Sequence, residues 1–331
     1  MLYLIALLPP ILFILVLLWL DSFSLVRKDV LLLSFGFGII SVPIAYFVIR
    51  GLGAIAPSAG TIGDPIIEEV IKGAWILVLL KHRRCAFFID AALYGAAIGA
   101  GFSFLENILY IYFNPDIVVG TALVRGLGTA IMHCGGVIST AVIMSWIANK
   151  KKSPYAFFPL ALIPAMMLHI LYNLNNVAAH PLLSPMLLLF VTLLTVSIWT
   201  IVLFSYNEKS IGNWIEDELS SEVKMLAAMK NGTFSNSKAG QFMMSVKEQF
   251  KPECFFDMFC YVRLYYELSL ASKTNMMRAE AGFPIVKNKE TSDKVLEFNT
   301  LKKQIGATAQ MTLTPIVKQS RLNEWKIDSM S

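Results

Sequence analysis

AFFIDAALYGAAIGAGFSFLENILYIYF, residues 86–113, is apolar over almost its whole length. Its 28 residues carry two charges, Asp90 and Glu106. About 20 apolar residues suffice for a helix to cross a bilayer core, so this segment predicts a transmembrane helix. Gly95, Gly99 and Gly101, with Ala91, Ala92, Ala96, Ala97 and Ala100, leave room for neighbouring helices to approach backbone to backbone. Reading outward in both directions gives six more apolar runs. The seven are about 2–20, 30–49, 65–80, 86–113, 120–148, 155–177 and 184–206, bounded by polar or turn-forming residues such as Asp21, Asp64-Pro65, Asn114-Pro115, Ser153-Pro154 and His180-Pro181. The expected fold is an all-α polytopic membrane protein.

The charge is distributed accordingly. Only 15% of the 331 residues are charged, against roughly a quarter in soluble domains. Residues 1–206 hold 11 Lys+Arg and 8 Asp+Glu, and residues 207–331 hold 17 and 15. A transmembrane core over 1–206 and a mostly helical region over 207–331 are expected. This excludes a single soluble enzyme, a secreted disulfide scaffold and a disordered polymer. The net charge of +5 divides too evenly for a nucleic-acid-binding arm. Cys85, Cys134, Cys254 and Cys260 form no CxxC pair and read as free thiols. The first run has no basic leader and reads as a retained helix.

Basic loops stay cytoplasmic. Arg27 and Lys28 follow span 1, Lys81, Arg83 and Arg84 follow span 3, and Lys150, Lys151 and Lys152 follow span 5, while loops 51–64, 114–119 and 178–183 contain no Lys or Arg. Seven spans with the N-terminus outside, the C-terminal region cytoplasmic and the chain in the cell (inner) membrane follow as expectations. In the polar half, residues 211–230 read as an amphipathic helix with Trp214, Leu219, Val223, Leu226 and Ala227 on one face. Further helical runs are expected at 252–281 and about 292–305.

An ionisable residue at the bilayer centre costs roughly 2.5–3.5 kcal/mol on insertion scales and is a functional hypothesis by default. The membrane half contains Glu68, Glu69, Lys72, Glu106, Arg125, His133 and His169, accompanied by Asn107 and Asn173. Asp64 as N-cap and Pro65 as first helical residue would start span 3 short of the outer surface. Glu68 would then lie about 12 Å deep, with Glu106 and His169 at similar estimated depths. Three acidic residues and two imidazoles thus converge from four helices. Carboxylates and imidazoles in a desolvated site can activate water in two ways. Two His and a Glu (His133, His169, Glu106) can hold a metal such as zinc while a second Glu serves as base. Alternatively a Glu deprotonates water without a metal while His and Asn stabilise the oxyanion.

Glu68-Glu69-Val70-Ile71-Lys72, Phe102-x3-Glu106-Asn107, His133 and the His169-x3-Asn173 pair, in that order, resemble the motif set of the PrsW intramembrane proteases, relatives of the CAAX prenyl endopeptidase and bacteriocin-immunity (CPBP) group. The stretch Asp90–Tyr112 is especially similar, and the resemblance runs from about residue 60 to 176. It implies cleavage of a membrane-protein substrate, expected to be single-span, within or near the bilayer, and for some members the release of an anti-sigma factor. It also implies that Glu68 or Glu69 activates water and that Glu106, His133 and His169 are ligands or polarising groups. Lys72, Asn107, Arg125 and Asn173 would support them. Cys134-Gly135-Gly136 departs from the small apolar residues expected after His133. Tyr110, Tyr112 and Tyr172 fit interfacial aromatic belts. A seven-helix receptor or a proton-coupled transporter could use the same buried acids, though span 7 lacks a Schiff-base lysine and no internal repeat is evident.

Overall fold

The computed structural model describes residues 1–21, 23, 26–53, 60–82, 84–85, 87–150, 153–177, 183–284, 286 and 289–317. Arg83, Lys151, Lys152 and the His180-Pro181 boundary lie outside the described residues. Helices account for the ordered elements among the described residues, so the all-α polytopic architecture stands. The chain divides into two compact units, and the division after the first 21 residues and the loop falls inside one helix, between Asn207 and Glu208.

The first unit contains α1 (Leu2–Trp19), α2 (Lys28–Gly53), α3 (Gly60–Lys81), α4 (Phe88–Phe113), α5 (Val119–Leu123), a π turn (Val124–Thr129), α6 (Ala130–Lys150), α7 (Phe158–Val177) and the start of α8 (Pro185–Lys230). Six helical segments among the described residues are long and apolar enough to cross a membrane: α1, α2, α4, the continuous run Val119–Lys150, Pro154–Asn176 and α8. The seventh expected span, α3, is not among them, because Asp64, Glu68, Glu69 and Lys72 interrupt its apolar surface. α3 also starts earlier than expected. It begins at Gly60 rather than at a cap on Asp64, and its 22 residues extend about 33 Å. Pro65 lies close enough to the start that only one helical hydrogen bond is lost. The short, sunken third span is therefore corrected.

α4 is the centre of this unit. It is buried from Ile89 to Ser103 and packs on α6, α2 and α1. The Asp90 carboxylate accepts the Phe87 N–H (2.8 Å) at the helix start, satisfying a donor that has no helical partner. A side chain at Gly99 would sit 2.6 Å from Cys134 Cα on α6, so only glycine allows this approach. At the far end of α7, the Asn175 side-chain amide bonds both the carbonyl (2.9 Å) and the N–H (3.0 Å) of Leu183.

The second unit comprises the later part of α8, α9 (Lys238–Val246), α10 (Pro252–Glu280) and α11 (Lys289–Leu313). α8 is one 46-residue helix. The sequence places a boundary near residue 207, but no proline stands between Pro185 and Lys230, and Gly212 costs only about 1 kcal/mol in a helix interior. The expected apolar face is also corrected. Val223 is exposed, and Ile211, Ile215 and Glu222 are buried. Glu222 belongs to the buried face because Lys273 of α10 meets it at 2.8 Å and Ser269 donates to it at 2.7 Å. Tyr261, Val262, Leu268, Phe298, Leu301 and Leu313 are among the residues that form the core. α11 outruns its expected end and turns at Gly306, whose φ is 75°. The four cysteines are free thiols.

Candidate active site

α3 supplies three charged groups, the adjacent Glu68 and Glu69 and, about one turn later, Lys72. Lys72 Nζ and Glu69 Oε1 are 2.6 Å apart, and their side chains are 0% and 1% exposed. Burying such a pair is tolerable only when both charges are compensated. Further partners come from other helices. Lys72 Nζ lies 2.8 Å from His133 Nδ1 on α6 and 4.3 Å from the centre of the Phe102 ring on α4. Glu69 Oε1 is 2.9 Å from His169 Nδ1 on α7. A side chain at Gly136 would approach Glu69 Oε2 to 3.6 Å and the Ala165 Cβ to 3.4 Å, so the small residues after His133 leave space for this carboxylate.

The hydrogen-bond chemistry assigns the imidazoles. A carboxylate only accepts and an ammonium only donates. His169 therefore donates from Nδ1 to Glu69, leaving the Nε2 lone pair free. His133 accepts from Lys72 at Nδ1 and donates from Nε2 to Glu106 Oε2, 3.0 Å away. The two rings are 4.7 Å apart at their centres and nearly perpendicular, at 88°. Glu106 is held from its other side by Arg125, whose Nη2 lies 2.8 Å from Oε1. Arg125 Nε donates to Asn107 Oδ1 at 2.8 Å, and its guanidinium lies 4.0 Å from the Tyr110 ring centre.

The three carboxylates are thus not equivalent. Glu69 is matched by Lys72 and Glu106 by Arg125. Glu68, 21% exposed, has no Lys or Arg partner among the described residues, and its nearest charged-type contact is His169 Nε2 at 3.9 Å. Two acceptors that far apart leave room for a shared donor, a water or a cation, between them.

The sequence-nominated residues Glu68, Glu69, Lys72, Glu106, Asn107, Arg125, His133 and His169 meet in this one cluster. Asn173 is half-buried one turn beyond His169 and shares its face, but takes no part in these bonds. The metal-capable group differs from the expected His133, His169 and Glu106. The donor atoms of Glu68, His133 and His169 all lie within 4.8 Å of one another, while Glu106 is engaged by Arg125. Tyr172 is corrected as well. It is 3% exposed, and its hydroxyl accepts from Thr129 at 3.3 Å, so it is an interior residue rather than part of an aromatic belt. Phe102, quoted only as part of a motif, proves to be the ring beneath Lys72 and beside His133 (4.9 Å). The Ala6 carbonyl on α1, which accepts from Asn107 Nδ2 at 3.0 Å, had no sequence signal of its own.

Two imidazoles and a carboxylate match the donor set of a three-ligand catalytic zinc site. Glu69 behind His169 is the outer carboxylate such a site commonly has. The residues therefore fit a metal. His169 and Glu68 offer free donor atoms, and His133 would exchange one of its two present partners.

A helical membrane protein with acids and imidazoles converging between its helices fits the class of intramembrane hydrolases. Residues 27–202, more than half of the chain, match the PrsW family intramembrane metalloprotease, and the chain belongs to that family. No curated protein and no solved structure matches it. The protein is thus an intramembrane peptidase, with α1 and the whole of the second unit outside the matched stretch.

Proposed function

We propose that Glu68 is the carboxylate at which water is activated for hydrolysis of a peptide bond in a membrane-protein substrate. The observation that carries this is its lack of a cationic partner. Glu69 and Glu106 are each paired with a basic side chain, Lys72 and Arg125, whereas Glu68 is not.

In this reading a water bridges Glu68 Oε2 and His169 Nε2. Glu68 takes its proton as the oxygen attacks the scissile carbonyl, then returns the proton to the departing amine nitrogen. Glu69 keeps His169 in the tautomer that presents Nε2, and Lys72 keeps Glu69 ionised. The amide of Asn173, one turn beyond His169, is the donor for the developing oxyanion, while Glu106 holds the His133 ring in place. Were zinc bound, Glu68, His133 and His169 would hold it, and it would supply a polarised water at neutral pH.

The substrate class that fits a site between spans is a single-span membrane protein, entering through the bilayer. By resemblance it includes anti-sigma-factor-like proteins in regulated proteolysis. The outer half of the membrane as the cleavage depth rests on the sequence placement of Glu106 and His169. A cell-membrane location with a cytoplasmic C-terminal region rests on Arg27, Lys28, Lys81, Arg84 and Lys150.

The test is co-expression with single-span reporter substrates. Glu68→Gln should lower cleavage at least about a hundredfold, as should His169→Ala. If both cleave like wild type while remaining folded, the reading fails. Metal analysis of purified protein separates the two schemes: stoichiometric zinc that is lost in His169→Ala supports the metal version.

A further inference from the structure

α1 precedes the family-matched stretch, yet it reaches the site. Pro9 and Pro10 stand inside it. A proline has no N–H, so each removes the helical bond to the carbonyl four residues earlier. Pro9 thereby frees the Ile5 carbonyl and Pro10 frees the Ala6 carbonyl. A buried carbonyl needs a donor, and both freed groups face the active-site scaffold. The Ala6 carbonyl accepts from Asn107 Nδ2 at 3.0 Å. The Ile5 carbonyl lies against Gly126, where an added Cβ would collide with it. Gly126 belongs to the π turn Val124–Thr129, which also carries Arg125.

A short chain of bonds follows. Asn107 is fully buried, and its amide is used at both ends: Nδ2 to Ala6 and Oδ1 to Arg125 Nε. Arg125 in turn holds Glu106, and Glu106 holds His133. An amide whose N–H2 is anchored cannot rotate away from the guanidinium. The guanidinium fork then has a single orientation in which Nη2 meets Glu106.

We infer that Pro10 is a positioning residue for catalysis: by freeing the Ala6 carbonyl it anchors Asn107, and through Asn107 and Arg125 it sets Glu106 against His133. This inference rests on the proposed catalytic site. It makes α1 part of the machinery rather than a membrane anchor, and it assigns the two prolines different roles, because only Pro10 frees the carbonyl that Asn107 uses.

The decisive variant is Pro10→Ala. It restores an N–H that competes for the Ala6 carbonyl, and it removes a helix-breaking residue, so the fold is not weakened. The expected result is a fall in kcat of about tenfold, in line with the cost of a slightly misplaced catalytic group, with KM and the unfolding temperature not lowered. Pro9→Ala restores only the Ile5 bond and should stay within about twofold of wild type. Asn107→Asp loses the donor to Ala6, and adding Pro10→Ala to it should have no further effect, since both cut one link. Hydrogen exchange of residues 119–130 should accelerate in Pro10→Ala and not in Pro9→Ala, also in a Glu68→Gln background that cleaves nothing. That measurement stands even if the proposed base is wrong. Wild-type kcat and unchanged exchange in Pro10→Ala, or equal effects of the two proline variants, would overturn the inference.

Discussion

Glu69 and His169, one hundred residues apart in sequence, are joined by a 2.9 Å hydrogen bond inside the first unit, and the same carboxylate oxygen receives Lys72. In the proposed reading, Glu69 is therefore the structural one of the two adjacent glutamates on α3 and Glu68 the reactive one. Glu69→Gln should therefore lose both activity and stability. It removes the charge that balances a fully buried ammonium, a change worth about 3–5 kcal/mol when a buried pair is broken. Glu68→Gln should lose activity with an unchanged unfolding temperature. Thermal unfolding in detergent, run beside the cleavage assay, checks the contrast; matching stability losses in the two variants would refute it.

Lys72 gives a second, sharper test. Lys72→Met alone strands Glu69 without its cation and should destabilise strongly. Lys72→Met combined with Glu69→Gln removes both charges, and should be less destabilised than the sum of the singles by about 1–3 kcal/mol. Activity should stay low in the double variant, because His169 has lost the carboxylate that fixes its tautomer. A strictly additive double variant would argue against the pair.

Much of this site was legible in the sequence because ionisable residues are scarce in apolar runs. Glu68, Glu69, Lys72, Glu106, Arg125, His133 and His169 stand out one by one against leucines and alanines. What the pattern could not convey is which charge neutralises which. The pairings Lys72–Glu69 and Arg125–Glu106 depend on side-chain geometry within and between helices, and they alone separate Glu68 from the other two acids. The start of α3 departs from the boundary rules because a proline is tolerated within the first turns of a helix as well as at its first position. On α8 a buried Glu222, matched by Lys273 on a different helix, broke the apolar periodicity and shifted the expected face to Val223. Ala6 was invisible because its role belongs to a backbone carbonyl, released by a proline four residues later.

Close packing of α4 on α6 is the next expectation. Glu106 on α4 must meet His133 on α6, and Gly99 is where the backbones approach. Gly99→Ala places a methyl 2.6 Å from Cys134 Cα, which real carbon atoms do not tolerate. Overpacking of this kind costs about 1–3 kcal/mol. The loss of cleavage should exceed that seen in Gly36→Ala, where open space surrounds the added methyl. Equal activity in the two variants would show that the helix separation does not govern the site.

The second unit has its own buried charge cluster, and it predicts a different failure. Lys273 Nζ, whose side chain is 0% exposed, meets Glu218 at 3.0 Å and Glu222 at 2.8 Å and lies 5.0 Å from the Trp214 ring centre. Two acids share one cation, so removing the cation is worse than removing an acid. Lys273→Met should destabilise by about 3–5 kcal/mol, the cost of leaving buried charge uncompensated. Glu218→Gln should cost less, because it leaves Glu222 and Lys273 as a matched pair. Limited proteolysis of the full chain, followed by mass spectrometry of fragments from residues 208–317, reads the effect directly. Faster cleavage there in Lys273→Met than in Glu218→Gln is the expected order; the reverse order would mean that the acids, not the lysine, limit the stability of this cluster.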